Sequence, residues 1–305
     1  MVNQTEDNYN ATQNNTNLTP GSPPLEKDYG NGDAFHIDDR MDSDTALRKI
    51  RTAGSISISP ELFEKIYLSP QNQVKGDLRK TLGNPTPLAL VGFLLSLTPL
   101  SCELMGWRGA SGNGAAGIAS YFFFGGILMI LGATGEWILG NTFPFVVFGS
   151  FGAFWLTFAG TLDPTFSAYG AYSPDPSNPA GGLTTVGFNA SFAFFQLWMG
   201  VLCLVYFICS LRTNVVFSLI FITLVFAFGC LAGAYWQNAM GNTVAAGHLI
   251  VAAGAITFVT DLCGWWIFFA IMLASLDFPF QIPVGDLSRF IKGASEKRKE
   301  ERDMV

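Results

Sequence analysis

The sequence predicts an all-α integral membrane protein: six transmembrane helices preceded by a disordered N-terminal tail. Three observations carry this reading. The 305-residue chain is 50% hydrophobic but only 13% charged, whereas a soluble domain carries about 25% charged residues. Between Pro85 and Leu276 the acids and bases other than His248 are Glu103, Arg108, Glu136, Asp163, Asp175, Arg212 and Asp261, so nearly all charge lies in the two tails. Within that interval, apolar runs of the roughly 20 residues that span a bilayer as helix recur six times.

Residues 1–80 are rich in Asn, Asp, Ser, Thr and Pro, and bury too little apolar surface to offset the entropy of ordering. Within them, residues 59–69 ("SPELFEKIYLS") read as a short amphipathic helix, with Ser59 as N-cap and Pro60 in the first turn. The expected spans are 85–104, 115–139, 142–162, 188–211, 215–236 and 243–276, giving a membrane domain over 81–280. The sixth is long enough to tilt or to project from the membrane. Asp163–Thr185 is rich in Pro, Gly and Ser and reads as the one long loop. Residues 281–305 form a C-terminal tail.

Lys and Arg near helix ends set orientation. Lys75, Arg79 and Lys80 precede the first span, Arg212 lies between the fourth and fifth, and Arg289, Lys292 and Lys297–Lys299 follow the sixth. With six spans all of these fall on one side, so both tails are expected in the cytoplasm. The first 80 residues hold no apolar h-region of a cleavable signal. The net charge of −6 is shared equally between residues 1–80 and the apolar interval, and no stretch resembles a nucleic-acid surface. The five cysteines are irregularly spaced inside apolar runs, which suits packing rather than disulfides or metal. No metal cluster, nucleophile motif or phosphate loop suggests an enzyme, and no cofactor is expected.

The first span opens with "NPTPLALVGF" at residues 84–93. Proline is tolerated in a helix's first turn, where its missing N–H would be unbonded anyway, and Asn84 can cap the same turn. Asn84, Pro85, Pro87, Leu88, Gly92 and Phe93 resemble the NPAPLGLxGF signature of the acetate uptake transporter family, which includes bacterial succinate–acetate permeases and fungal monocarboxylate transporters. Thr86 and Ala89 stand where Ala and Gly are commoner. "YFFFGG" at 121–126 and "GNTFPFVVFGSFGAFWLTF" at 140–158, with Trp155, resemble the family's second and third helices, and the C-terminal "DFPFQIPVGDLS" is similar to fungal members. The resemblance covers about residues 81–292. It implies a six-helix protomer, usually in a homohexamer, with its own pathway for small carboxylates such as acetate. It also implies a hydrophobic constriction, whose matching positions here are Phe93, Phe151 and Leu219. Phe151 lacks the hydroxyl of the tyrosine common in bacterial members.

Polar residues within a membrane usually face the protein interior or a water-filled path. Asn141, Thr142 and Ser150 offer the N–H and O–H donors a carboxylate needs, beside the positive end of the third helix. Back-bonding to their own helix, or capping by Asn141, is the structural alternative. Glu136 either pairs with Arg212 or accepts protons. His248 and Asp261 are the other candidates for proton linkage; at 13 residues they stand about 19 Å apart on one helix, too far for direct relay. Asp261 should have a partner, which the sequence does not identify. Phe151, Phe154 and Phe158 share a helix face, a pattern that usually means packing.

A narrow apolar neck costs an unpaired charge several kcal/mol and a neutral acid far less. The sequence therefore favours passage of acetate-sized monocarboxylates across the plasma membrane, with a proton on the acid or through Glu136. An ammonia or ammonium export channel, and a membrane sensor with a regulatory tail, are the alternatives.

Overall fold

The computed structural model describes residues 82–287. The tail, its expected amphipathic helix at 59–69, and the basic segment from Ser288 onward lie outside the described residues. Six helices long and apolar enough to cross a membrane are present: α1 Thr86–Leu104, α2 Ala115–Ile138, α3 Thr142–Leu162, α4 Val186–Ser210, α5 Val215–Ala239 and α6 Thr243–Ser275. The expected spans agree with these to within three residues at each end. Among the described residues there is no β-strand, only an isolated bridge between Asn214 and Asp286.

The helices alternate in direction and pack in a ring. Neighbours in sequence touch as α1–α2, α2–α3, α4–α5 and α5–α6, and α6 returns to α1. Aromatic contacts close the remaining gap between α3 and α4, through Phe143–Tyr206 and Phe154–Phe195. The start of α1, the α2–α3 turn, the α4–α5 turn and the residues after α6 share one end of the bundle, the near end. The α1–α2, α3–α4 and α5–α6 connections share the far end.

Several local choices explain these elements. Thr185 and Asn214 each accept an N–H from the first turn of the helix they precede, Phe188 and Phe217 respectively. Gly140 and Gly241 take positive φ in the tight turns before α3 and α6. α2 is not uniform: Tyr121–Leu128 winds as a π-helix before the regular turns of Met129–Ile138. Such wide turns are rare and frequently mark functional sites. α6, at 33 residues, is about 50 Å long and exceeds the roughly 30 Å hydrocarbon core.

The expected loop between α3 and α4 is built from short 3₁₀ turns at Pro164–Phe166, Gly170–Tyr172 and Pro179–Thr184. Asp163 and Asp175 each accept hydrogen bonds from the hydroxyl and N–H two residues on, and those bonds to Ser177 hold the Asp175 carboxyl below its ordinary range. Asn189 is buried and donates to the carbonyls of Leu183 and Thr185.

Residues 281–287 return to the body at the near end. Val215 N–H donates to Gly285 O, Leu287 N–H to Thr213 O, and Trp266 Nε1 to Pro283 O, while Val284 is buried.

Candidate functional site

The doorway motif is a packing device as well as a helix start. Asn84 Oδ1 accepts the Thr86 N–H at 2.9 Å, as its capping role requires. Beyond the cap, the motif faces the small residues of α2. A Cβ on Gly135 would lie 2.5 Å from Pro85 Cβ, one on Gly132 2.6 Å from Ala89 Cβ, and one on Gly92 2.5 Å from the Phe124 carbonyl oxygen. Successive positions of α1 therefore close onto α2 at distances only glycine permits. Leu88 points outward and is exposed.

This closeness brings Thr86 to the end of α2. Its hydroxyl donates to Glu136 Oε1, and Asn141 Nδ2 donates to Glu136 Oε2 at 2.6 Å. Glu136 is fully buried. The N-termini of α1 and α3 both approach it, and their dipole ends favour a negative charge there. Asn141 precedes α3, but its side chain makes no cap bond. Thr142 is exposed, and Ser150 sits two turns along α3. The three expected donors thus do not converge on one point.

Ser150 has a different partner. Its hydroxyl lies 2.9 Å from the Tyr206 hydroxyl of α4 and also reaches the Val147 carbonyl. The Tyr206 ring lies 6.4 Å from the Phe151 ring, 5.6 Å from Phe221 and 6.1 Å from Phe143. A phenol hydroxyl from another helix therefore stands beside the position where Phe151 lacks one. No local signal in the sequence points to this pair, because Ser150 and Tyr206 are joined only by the fold.

Phe93 and Phe151 meet edge to face at 6.3 Å, both buried, each about halfway along its helix. Phe154 follows with stacked Phe195 at 6.0 Å and perpendicular Phe228 at 5.4 Å. Trp155 stacks on Tyr121 at 5.0 Å. Leu219 does not join this group: it is 45% exposed, on the outer face of α5. The buried face of α5 runs through Phe217, Ile220, Phe221, Leu224, Ala227 and Phe228. Phe221 meets Phe143 and Phe228 meets Phe154, so the stretch between them runs beside Phe151. Leu224, 3% exposed, is its bulky inward residue. Placing Leu219 at the constriction is therefore corrected: a leucine five residues earlier in a helix faces another way.

Toward the far end the aromatic centre opens into a cavity of about 60 Å³, lined by residues that include Leu100, Phe154, Phe158, Gln196, Tyr235 and Asn238. That is room for about four waters or one small organic acid.

Asp261 is fully buried between α6 and α1, and one of its two carboxyl oxygens has a hydrogen-bond partner there, while Oδ1 has none. Ser101 Oγ donates to Asp261 Oδ2 at 2.8 Å and lies 2.9 Å from Thr257 Oγ1. Thr98, one turn earlier on α1, accepts from Trp265 Nε1. His248 lies near the start of α6 on an exposed face, away from the interior expected of a proton relay.

Residues 68–289 match the model of the GPR1/FUN34/yaaH family. The chain is 47% identical over 248 residues to Protein alcS of Aspergillus fumigatus, covering 81% of this chain and 91% of that protein. It is 33% identical over 208 residues to the Acetate transporter protein patA of Aspergillus clavatus, covering 68% and 80%. The solved structure of the bacterial acetate channel SatP superposes with a TM-score of 0.52 at 25% identity, covering 67% of this chain and 99% of that one. With six apolar helices and matches of this extent, the protein is a multi-pass membrane transport protein and not an enzyme. The chain belongs to the GPR1/FUN34/yaaH family, the family of acetate transporters and channels.

Proposed function

We propose that this protein carries acetate and similar small monocarboxylates across the plasma membrane through an apolar neck in each protomer, with a proton accompanying the acid. The observation that carries this reading is the buried edge-to-face contact of Phe93 and Phe151, halfway through the bundle and between the far-end cavity and the Tyr206–Ser150 hydroxyl pair. Leu224 forms the third wall. The names of patA and SatP support acetate as the substrate.

The neck selects by size and by charge. An anion stripped of water among phenyl rings costs several kcal/mol unless paired, and the neutral acid much less. Glu136, bonded to Thr86 and Asn141, either serves as a structural hub or takes up the proton at the near end. In this reading the near end is cytoplasmic, as the Lys and Arg distribution requires, and protomers assemble as a homohexamer. The exposed apolar face of α5, with Leu219 and Phe226, then meets lipid or a neighbouring copy.

Uptake of labelled acetate by purified protein in liposomes tests the reading. Saturable uptake stimulated by an acid exterior supports it. Absence of acetate uptake, with ammonia flux in the same vesicles, overturns it in favour of ammonia export. The neck is tested by size: Leu224→Ala should raise lactate uptake relative to acetate several-fold, while Leu219→Ala leaves the ratio unchanged. The reverse pattern would return Leu219 to the pathway.

A further inference from the structure

We infer that the far-end cavity is a binding site for the neutral, protonated form of a short monocarboxylic acid, and that the Gln196 side-chain amide recognises it. This rests on the proposed transport of small acids and names the species that enters and the group that reads it.

The cavity is walled largely by apolar side chains, among them Leu100, Phe154 and Leu231, and ends at the rings that precede the neck. Gln196 belongs to its lining, is only 2% exposed, and has no hydrogen-bond partner for Oε1 within the protein. A buried acceptor left unpaired is costly, and such groups ordinarily have a partner. A residue chosen only to fill an apolar wall would be Leu or Met, which carry no such cost.

The amide also defines its partner. It presents one acceptor and one donor side by side, whichever way the group is turned. A carboxylic acid presents the matching donor and acceptor, so O–H···Oε1 and Nε2–H···O=C close together in one planar ring. A carboxylate has acceptors only and would set a lone pair against Oε1. Nor does the lining hold a charge to balance an anion: it contains no Lys, Arg, His, Asp or Glu, and Tyr235 is its one titratable side chain. The charged or titratable groups on the surrounding helices are engaged elsewhere. Glu103 accepts the Gly114 N–H, Asp261 accepts from Ser101, and His248 is exposed. The site thus binds the acid before the neck and leaves the proton on it.

Acetamide and trifluoroacetate separate the two chemistries. Acetamide carries the same donor–acceptor edge and does not ionise, while trifluoroacetate is an anion throughout the range tested. Binding to the detergent-solubilised full chain is read by thermal shift, and competition with labelled acetate is read in liposomes, each at about pH 4 and about pH 7, either side of the carboxylate range. Acetamide is expected to bind equally at both values. Acetate should bind at the lower value only, and trifluoroacetate at neither. Gln196→Met should weaken acetamide and acetic acid about tenfold or more, each tenfold being about 1.4 kcal/mol. Gln196→Glu should bind acetamide at about pH 4 and weaken at about pH 7, where its own carboxyl ionises and no longer donates, whereas the unsubstituted protein binds acetamide equally at both. Trifluoroacetate binding as tightly as acetamide, or retention of acetamide binding by Gln196→Met, would overturn the site. Binding without any acetate flux would leave the site standing and remove the transport reading; acetate flux that is insensitive to Gln196 would do the opposite.

Discussion

Glu136 holds its carboxylate where three helix ends meet, and its two described bonds go to residues from two different sequence motifs. Removing it is therefore expected to act on the fold first. Glu136→Ala removes the acceptor that the Thr86 hydroxyl and the Asn141 amide share, and costs about 1–3 kcal/mol for a buried group left unpaired. Glu136→Gln keeps an acceptor for Thr86, and Asn141 can turn its amide to match. A melting measurement in detergent should show a large loss for Ala and a small one for Gln. If Glu136 carries a proton during transport, the well-folded Gln variant also loses the pH dependence of acetate uptake. An unchanged pH profile assigns Glu136 to structure alone. Little of this was legible in the sequence. Thr86 reads there only as a small replacement within a motif, and its partner lies 50 residues away. Asp261 announced its need of a partner through the cost of a buried charge, but Ser101 is 160 residues distant. Tyr206 gave no signal, because one tyrosine in an apolar helix is unremarkable until Ser150 is seen opposite it.

At the scale of the helix, composition was a sufficient guide. Charge depletion and run length locate every span, since the bilayer imposes the same requirement on each. Two features escaped that logic. Which way a side chain faces depends on packing partners, so Leu219, assigned by resemblance, fell on the wrong face of α5 while Leu224 turned inward. The π-helical stretch of α2 is invisible to hydropathy, because widening a turn changes no residue. The α1–α2 contact yields a sharp test. In Gly92→Ala the added carbon would approach the Phe124 carbonyl at 2.5 Å, and backbone cannot move aside as a side-chain tip can. Gly149→Ala meets nothing closer than the Ala133 Cβ at 3.7 Å and serves as the control. Surface expression and monodispersity should collapse for the first and hold for the second. Normal assembly of the Gly92 variant would mean that α1 and α2 are not held this closely.

For the molecule as a whole, six spans oblige the start of α1 and the segment after α6 to share a side, and the backbone bonds of Val215 and Leu287 to residues across the near end fit that arrangement. Cysteines introduced ahead of Leu82 and after Leu287 should both resist an impermeant thiol reagent on intact cells and both react once the cells are opened. Reaction of either on intact cells would reverse the proposed cytoplasmic orientation. The winding of α2 bears on how such a bundle can change over time. One helix has to meet two neighbours: Gly125 and Gly126 lie against Trp155 and Leu156 of α3, and Gly132 and Gly135 against Ala89 and Pro85 of α1. The wide turns of Tyr121–Leu128 set the phase between these two sets. Losing or gaining one residue there would rotate one set against the other by about 100°. No shift of neighbouring side chains can absorb a change in the length of this stretch, so insertions and deletions should be confined to the loops on either side of it.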